Sequence, residues 1–189
     1  MRISKARAEE NRERVVAAAA KLFREKGFDG VAVADLMHAA GLTHGGFYNH
    51  FDSKQQLEAA ACERVFERAL AKIGAVADTS APEARAQAFA DYRRRYVSKA
   101  ARDTPAPACP MVAFAGDMSR RPPDIRAAYA RGLSDYLERF TRASGRDSAG
   151  RAAALREFST LAGALILARG VARDDPELSE EILRAAVAE

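Results

Sequence analysis

The chain has 189 residues, 48% of them hydrophobic and 30% charged, with a formal net charge of +4. That length suits one compact body, or a body with a small appended module, and the apolar content excludes wholesale disorder. The longest apolar run, residues 160–168, falls short of the roughly 20 residues of a membrane helix, and the polar first thirteen residues do not read as a signal peptide, so the expected location is cytoplasmic with no membrane partner.

Nearly every segment reads as helix, and none alternates like a half-buried strand. The first helix is predicted from about Ala6 to Lys26, with Val15, Val16, Ala19, Leu22 and Phe23 on one face and Gly27 as C-cap. Two short helices follow, about 33–40 and 43–50, split by Gly41. A long helix begins at Ser53, where Ser53 and Gln56 read as a capping box. It is expected to end at the stretch from Asp78 to Pro82. A single helix is then predicted over about 82–102, a short one over 110–118, and one from Pro122-Pro123 to Ala143. The last two are predicted over 151–170, closed by Gly170, and from Pro176 to about 188.

The stretch from Gly27 to Leu57 carries most of the chemistry. Helices this short are unstable alone and must pack on the first helix through Val33, Leu36, Met37, Ala40, Leu42, Phe47 and Phe51. A tight turn at Gly41 between crossed helices is the form of a helix-turn-helix. The second short helix then projects His44, Gly45, Tyr48 and Asn49. Asn pairs bidentately with adenine in the major groove, and Thr and Tyr hydroxyls and Lys ammonium groups hold phosphate. The expected DNA contacts are Thr43, His44, Gly45, Gly46, Tyr48, Asn49, His50 and Lys54, with Lys54 in the first turn of a helix whose N-terminus attracts anions. Charge adds little: residues 1–54 carry nine Lys/Arg against seven Asp/Glu.

Over residues 8–57 the sequence resembles the tetracycline-repressor (TetR) family. The resemblance rests on Leu22-Phe23-Arg24-Glu25-Lys26-Gly27-Phe28, then Val33, Asp35-Leu36 and Ala39-Ala40-Gly41-Leu42-Thr43. It continues through Gly45, Phe47-Tyr48, His50-Phe51, Ser53-Lys54 and Leu57. It implies an all-α fold with an N-terminal three-helix DNA-binding domain, residues 1–52, and a helical ligand-binding and dimerisation domain, residues 53–189. It also implies a homodimer, joined through about 151–170 and 176–188, that binds a near-palindromic double-stranded DNA operator and is released by a small-molecule effector, with repression as the default. Two departures stand out. Ala32 occupies the cap position where relatives carry Thr or Ser, a loss of about 1 kcal/mol, and Gly45-Gly46 leaves fewer side chains to read bases.

In the body, aromatic and methionine side chains at helical spacing exceed what a tight core requires and suit an adaptable apolar pocket. The expected effector contacts are Phe66, Phe89, Tyr92, Tyr96, Met111, Phe114, Met118, Tyr129, Leu133 and Tyr136. For each of them alone, core packing is the simpler reading. Arg93-Arg94-Arg95 and Arg120-Arg121 read as solvated faces, and Cys62 as a buried small residue. Cys109 at a helix N-terminus would be a redox or electrophile sensor if its pKa were lowered, against the simpler reading of an inert residue. No metal-ligand spacing, phosphate loop or paired nucleophile and base is visible, so neither a cofactor nor an enzymatic activity is expected. An enzyme and a helical adaptor are the competing classes.

Overall fold

The computed structural model describes residues 5–104 and 109–188. The chain forms α1 (Lys5–Lys26), α2 (Val33–Ala39), a 3-10 segment (His44–Asn49), α3 (Lys54–Ala77) and α4 (Pro82–Tyr96). It continues through α5 (Lys99–Asp103), α6 (Pro110–Met118), α7 (Pro123–Ala143), α8 (Arg151–Val171) and α9 (Pro176–Ala185). No strand occurs among the described residues, as the patterning predicts.

Local chemistry sets most boundaries. Proline opens α4, α6, α7 and α9 at positions that have no intrahelical hydrogen-bond partner in any case. Gly27 ends α1 at φ +73° and donates its N–H to the Phe23 carbonyl at 3.0 Å. At the start of α3, Ser53 Oγ accepts from the Gln56 N–H at 3.2 Å. The Gln56 side chain reaches back one residue further than a capping box requires, accepting from the Asp52 N–H at 2.8 Å. Ala32 has no oxygen with which to cap α2, but Asp35 Oδ2 accepts the Ala32 N–H at 3.1 Å and supplies half of the motif.

Three boundaries differ from the sequence reading. The helix expected over 82–102 breaks after Tyr96, because Ser98 caps a new helix by accepting the Ala101 N–H at 3.1 Å and donates to the Arg95 carbonyl at 2.9 Å. The second short helix is a 3-10 turn, closed by the Gly46 N–H on the Thr43 carbonyl at 3.0 Å. Thr43 gives it no side-chain cap, and two adjacent glycines do not sustain an α-helix. Gly170 does not end α8, which runs on to Val171.

The core is continuous through the molecule. Phe23, Phe28, Leu36, Met37, Phe47 and Phe51 fill the N-terminal end. Phe28 meets Phe114 of α6 with ring centroids 4.8 Å apart, so the hydrophobic contact carries on into the body. There α3 and α7 lie against each other, and Gly132 makes this possible: a Cβ at that position would stand 2.3 Å from the Phe66 ring. Phe89, Tyr136, Phe140 and Phe158 fill the space between α4, α7 and α8. Ser179 is fully buried, donating to the Ala168 carbonyl at 2.9 Å and accepting from Arg102 at 3.0 Å, and so fixes α9 to α8 and α5. No helix among the described residues is long and apolar enough to cross a membrane.

Candidate nucleic-acid interface

The turn between α2 and the 3-10 segment begins at Gly41, at φ +69°, a conformation that would strain a side chain. Below it, Phe47 and Phe51 are buried with stacked rings 5.6 Å apart and anchor the segment to α1 and α2. Of the polar residues expected to meet DNA, Thr43, His44, Tyr48 and Asn49 are exposed, while His50 is half-buried at the segment's end. Tyr48 is 72% exposed, the largest figure for a big apolar side chain among the described residues, and its ring rests edge-on against Phe47 at 5.2 Å. Gly45 faces open space. Gly46 backs onto Met37 and the Thr43 hydroxyl, so it is the more closely packed of the pair.

Lys54 is placed differently from the rest of that set. Its ammonium donates to the Phe28 carbonyl at 2.7 Å, lies 3.5 Å from the Glu58 carboxylate and sits 5.8 Å over the Phe23 ring. In the free chain it fastens α3 to the loop after α1. Glu58 beside it is buried, and burial pushes its carboxyl up despite the opposing pull of Lys54 and Arg121. Sequence reasoning did not find Glu58, because a Glu in a helix's first two turns ordinarily reads as a surface residue.

The sequence also missed the junction between this unit and the body. Arg121, read there as solvated, keeps only 10% of its side chain exposed. It donates to both oxygens of Asp29, one bond measuring 2.9 Å, and its guanidinium lies 5.4 Å over the Phe28 ring. The partners are 92 residues apart, beyond the reach of any local pattern. Arg93 is likewise not solvated: its Nε lies 2.9 Å from Glu157, which also takes Arg146 at 2.6 Å.

The residues expected to hold an effector fall into separate groups. Tyr92, Tyr96 and Tyr136 gather between α4, α7 and α8, where the Tyr92 and Tyr136 hydroxyls share a hydrogen bond and Phe89 meets Phe140 edge-on at 5.1 Å. Phe66 meets Tyr129 at 5.6 Å between α3 and α7, with Leu133 half-buried nearby on α7. Met111, Phe114 and Met118 are buried along α6, and Phe114 faces the N-terminal unit. Two shallow surface grooves lie elsewhere. One, of about 450 Å³, is lined by Arg14, His38 and Gly41; the other, of about 220 Å³, by Lys99, Glu180 and Arg184. None of the ten expected contacts lines either groove.

Cys109 is the N-cap of α6, as placed from sequence, but the lowered pKa required of a sensor thiolate is absent. Burial pushes its thiol up, outweighing the nearby Tyr96 hydroxyl and the backbone N–H groups of Val112 and Met111. Its sulfur lies 3.7 Å from that of Met111. Cys62 is fully buried and pushed up to about 12. No group of three or more acidic, His or Cys side chains able to hold a metal occurs among the described residues.

The family profile described as bacterial regulatory proteins, tetR family, matches residues 15–61, the segment that forms this interface. The HTH-type transcriptional regulator CymR of Pseudomonas putida is 39% identical over 62 residues, 33% of this chain and 30% of that protein. The HTH-type transcriptional regulator YerO of Bacillus subtilis is 37% identical over 54 residues, 29% of this chain and 19% of that protein. The chain thus spans less than a third of the length of either relative. Over the whole fold, a TetR transcriptional regulator from Chloroflexus aurantiacus superposes with a TM-score of 0.70 at 29% identity, covering 95% of this chain and 93% of the other.

Proposed function

From an N-terminal unit of the tetR family of bacterial regulatory proteins, carried on a body with the fold of solved TetR regulators, we propose that this protein is a transcriptional repressor that binds a near-palindromic operator as a homodimer and releases it when a small molecule enters the body. The observation that carries the reading is the 3-10 segment. Thr43, His44, Tyr48 and Asn49 stand exposed on a short element whose other side, Phe47 and Phe51, is buried. An exposed Tyr on a glycine-rich turn contributes nothing to a core. It suits an element that approaches the phosphate backbone closely, with Asn49 and His44 at base edges.

The dimer reading is supported by what α8 and α9 leave uncovered. Ile166, Leu167 and Leu178 are 46%, 61% and 40% exposed. Beside them Gly163 and Gly170 have open space where a Cβ would stand, room for another helix to approach. Coupling between the two functions is supported by α6, which is nine residues long. Its N-cap, Cys109, lies beside Tyr96 of the body's tyrosine cluster, and its Phe114 and the following Arg121 hold Phe28 and Asp29 of the N-terminal unit.

The test is a binding titration of the purified chain against DNA from upstream of its own coding sequence. A specific complex of two chains per site, weakened in Tyr48→Ala, is expected. Equal affinity for unrelated DNA, or a Tyr48→Ala protein that binds like the parent, overturns the reading.

A further inference from the structure

The tyrosine cluster contains polar groups that the fold leaves without partners. The Tyr96 hydroxyl and Arg169 Nε are both buried, and neither finds an oxygen or nitrogen acceptor; the Tyr96 hydroxyl has only the Cys109 thiol beside it, a weak acceptor. Tyr96 is only 9% exposed. Arg169 spends another of its nitrogens on the Ala101 carbonyl at 2.7 Å, which holds its guanidinium in place at the α5–α8 contact. In the neighbouring Tyr92–Tyr136 pair one phenol donates to the other, so one of the two protons is left over for a further acceptor.

Each of these groups can donate, and the Arg169 guanidinium can do nothing else. Burial raises the Tyr92, Tyr96 and Tyr136 phenols and the Cys109 thiol, so all four stay protonated at neutral pH. Arg169 carries a positive charge that no carboxylate neutralises: no ion pair to it occurs among the described residues. Its ionisable neighbours are Tyr96 and Cys109. Glu157, on the same helix as Arg169, is already held by Arg93 and Arg146. A buried donor without an acceptor destabilises the protein until something supplies the missing group, and a half-buried cation without an anion attracts one. The walls around them are aromatic: the Tyr96 ring lies 5.9 Å from Phe158 and 6.2 Å from Tyr92, and Tyr136 lies 5.1 Å from Phe158.

We propose that the effector of this protein is a small single-ring aromatic acid whose carboxylate takes the unpaired Tyr96 hydroxyl and Arg169 Nε while its ring enters between Tyr92, Tyr136 and Phe158. The inference rests on the reading of the body as an effector site and adds its chemical class. A cationic amine meets the like charge of Arg169, which has no lone pair to offer it. A neutral hydrocarbon leaves the donors unpaired, as they are now. The rings touch one another in the free protein, so the ligand must part them. The break between α4 and α5 comes directly after Tyr96, so that side chain stands on the last turn of α4 rather than inside a continuous helix.

The experiment is calorimetric titration of the full chain with benzoate, benzamide, benzylamine and toluene, repeated with Tyr96→Phe, which keeps the ring, and Arg169→Gln. Benzoate is expected to bind best, and each variant to weaken it by roughly tenfold or more, the worth of one hydrogen bond to a charged group. Benzylamine or toluene binding as tightly as benzoate overturns the proposal. So does unchanged benzoate affinity in Tyr96→Phe, and so does the absence of saturable benzoate binding below about 10 mM. A parallel operator titration separates the two readings. Release of the operator by toluene or benzylamine, but not by benzoate, leaves the regulator standing and removes the acid. Benzoate binding that depends on Tyr96 in a chain that recognises no operator does the reverse.

Discussion

The Arg121 guanidinium holds both carboxylate oxygens of Asp29 and covers the face of Phe28, so the turn between α6 and α7 grips the loop between α1 and α2. Phe28 packs in turn on Phe114 of α6. One loop is therefore held by a charge pair on its outer side and by a tilted ring contact on its inner side. If α6 couples effector to operator, this contact transmits its movement. Arg121→Ala is expected to leave operator affinity without effector nearly unchanged, and to raise the effector concentration for half-release by roughly 2- to 30-fold, the range for residues along a coupling path. Fluorescence anisotropy of a labelled operator under effector titration measures both.

The same pair sets an acid limit. Arg121 holds the Asp29 carboxyl below its usual value of 3.8, chiefly through the hydrogen bond. A carboxylate with a depressed pKa contributes stability that is fully present above the unfolded value and is lost as pH falls through the folded one. Asp29→Asn should therefore melt below the parent at neutral pH, and the difference should close as the pH drops under about 3.8. Melting curves of both proteins from neutral pH into acid test this. A gap that persists unchanged in acid would show that the charge pair is not its source.

Gly132 has no side chain because the Phe66 ring occupies its place, 2.3 Å from where a Cβ would be. Gly132→Ala is expected to destabilise the chain by about 1–3 kcal/mol through overpacking between α3 and α7. Combined with Phe66→Leu it should lose less than the sum of the single changes, since the smaller residue gives the methyl group room. Urea unfolding of the four proteins gives the cycle.

Tyr48 and Asn49 separate folding from recognition. Tyr48 is so exposed that Tyr48→Ala should change stability by no more than about 0.5 kcal/mol. It should weaken DNA binding to all sequences alike while leaving the salt dependence unchanged, since a neutral hydroxyl holds a phosphate without displacing a counterion. Asn49→Ala should instead relax preference at one base position, by about 1–3 kcal/mol. Binding to a small panel of operator variants at two salt concentrations distinguishes the two effects.

Leu167→Glu places a charge on the exposed apolar face of α8. Since Leu167 is 61% exposed, the fold of a single chain should survive, while a two-fold contact through α8 and α9 should not. Sedimentation is expected to show a dimer for the parent and a monomer for the variant. A parent that sediments as a monomer removes the dimer reading altogether.

The sequence by itself determined the elements and the face of the N-terminal unit. Prolines at helix starts, Gly27 and Gly41 at turns and Ser53 at the head of α3 are local devices, each acting within four residues. The separation of buried Phe47 and Phe51 from exposed Tyr48 and Asn49 follows from spacing alone. Even the failures at this level were local: Ser98 breaking the fourth helix, and the paired glycines turning a short α-helix into a 3-10 turn. What only the tertiary structure decided is where long side chains find their partners. Arg121 reads as a surface charge until the fold brings Asp29 to it, and Lys54 reads as a phosphate anchor until the Phe28 carbonyl and Glu58 lie within its reach. The effector residues divide for the same reason. Helical spacing says that an aromatic side chain is buried, but only the packing of helices distant in sequence says that Phe114 meets Phe28 while the Tyr96 hydroxyl is left with no oxygen or nitrogen acceptor. Burial is written in periodicity; the partner of a buried group depends on which distant segments meet.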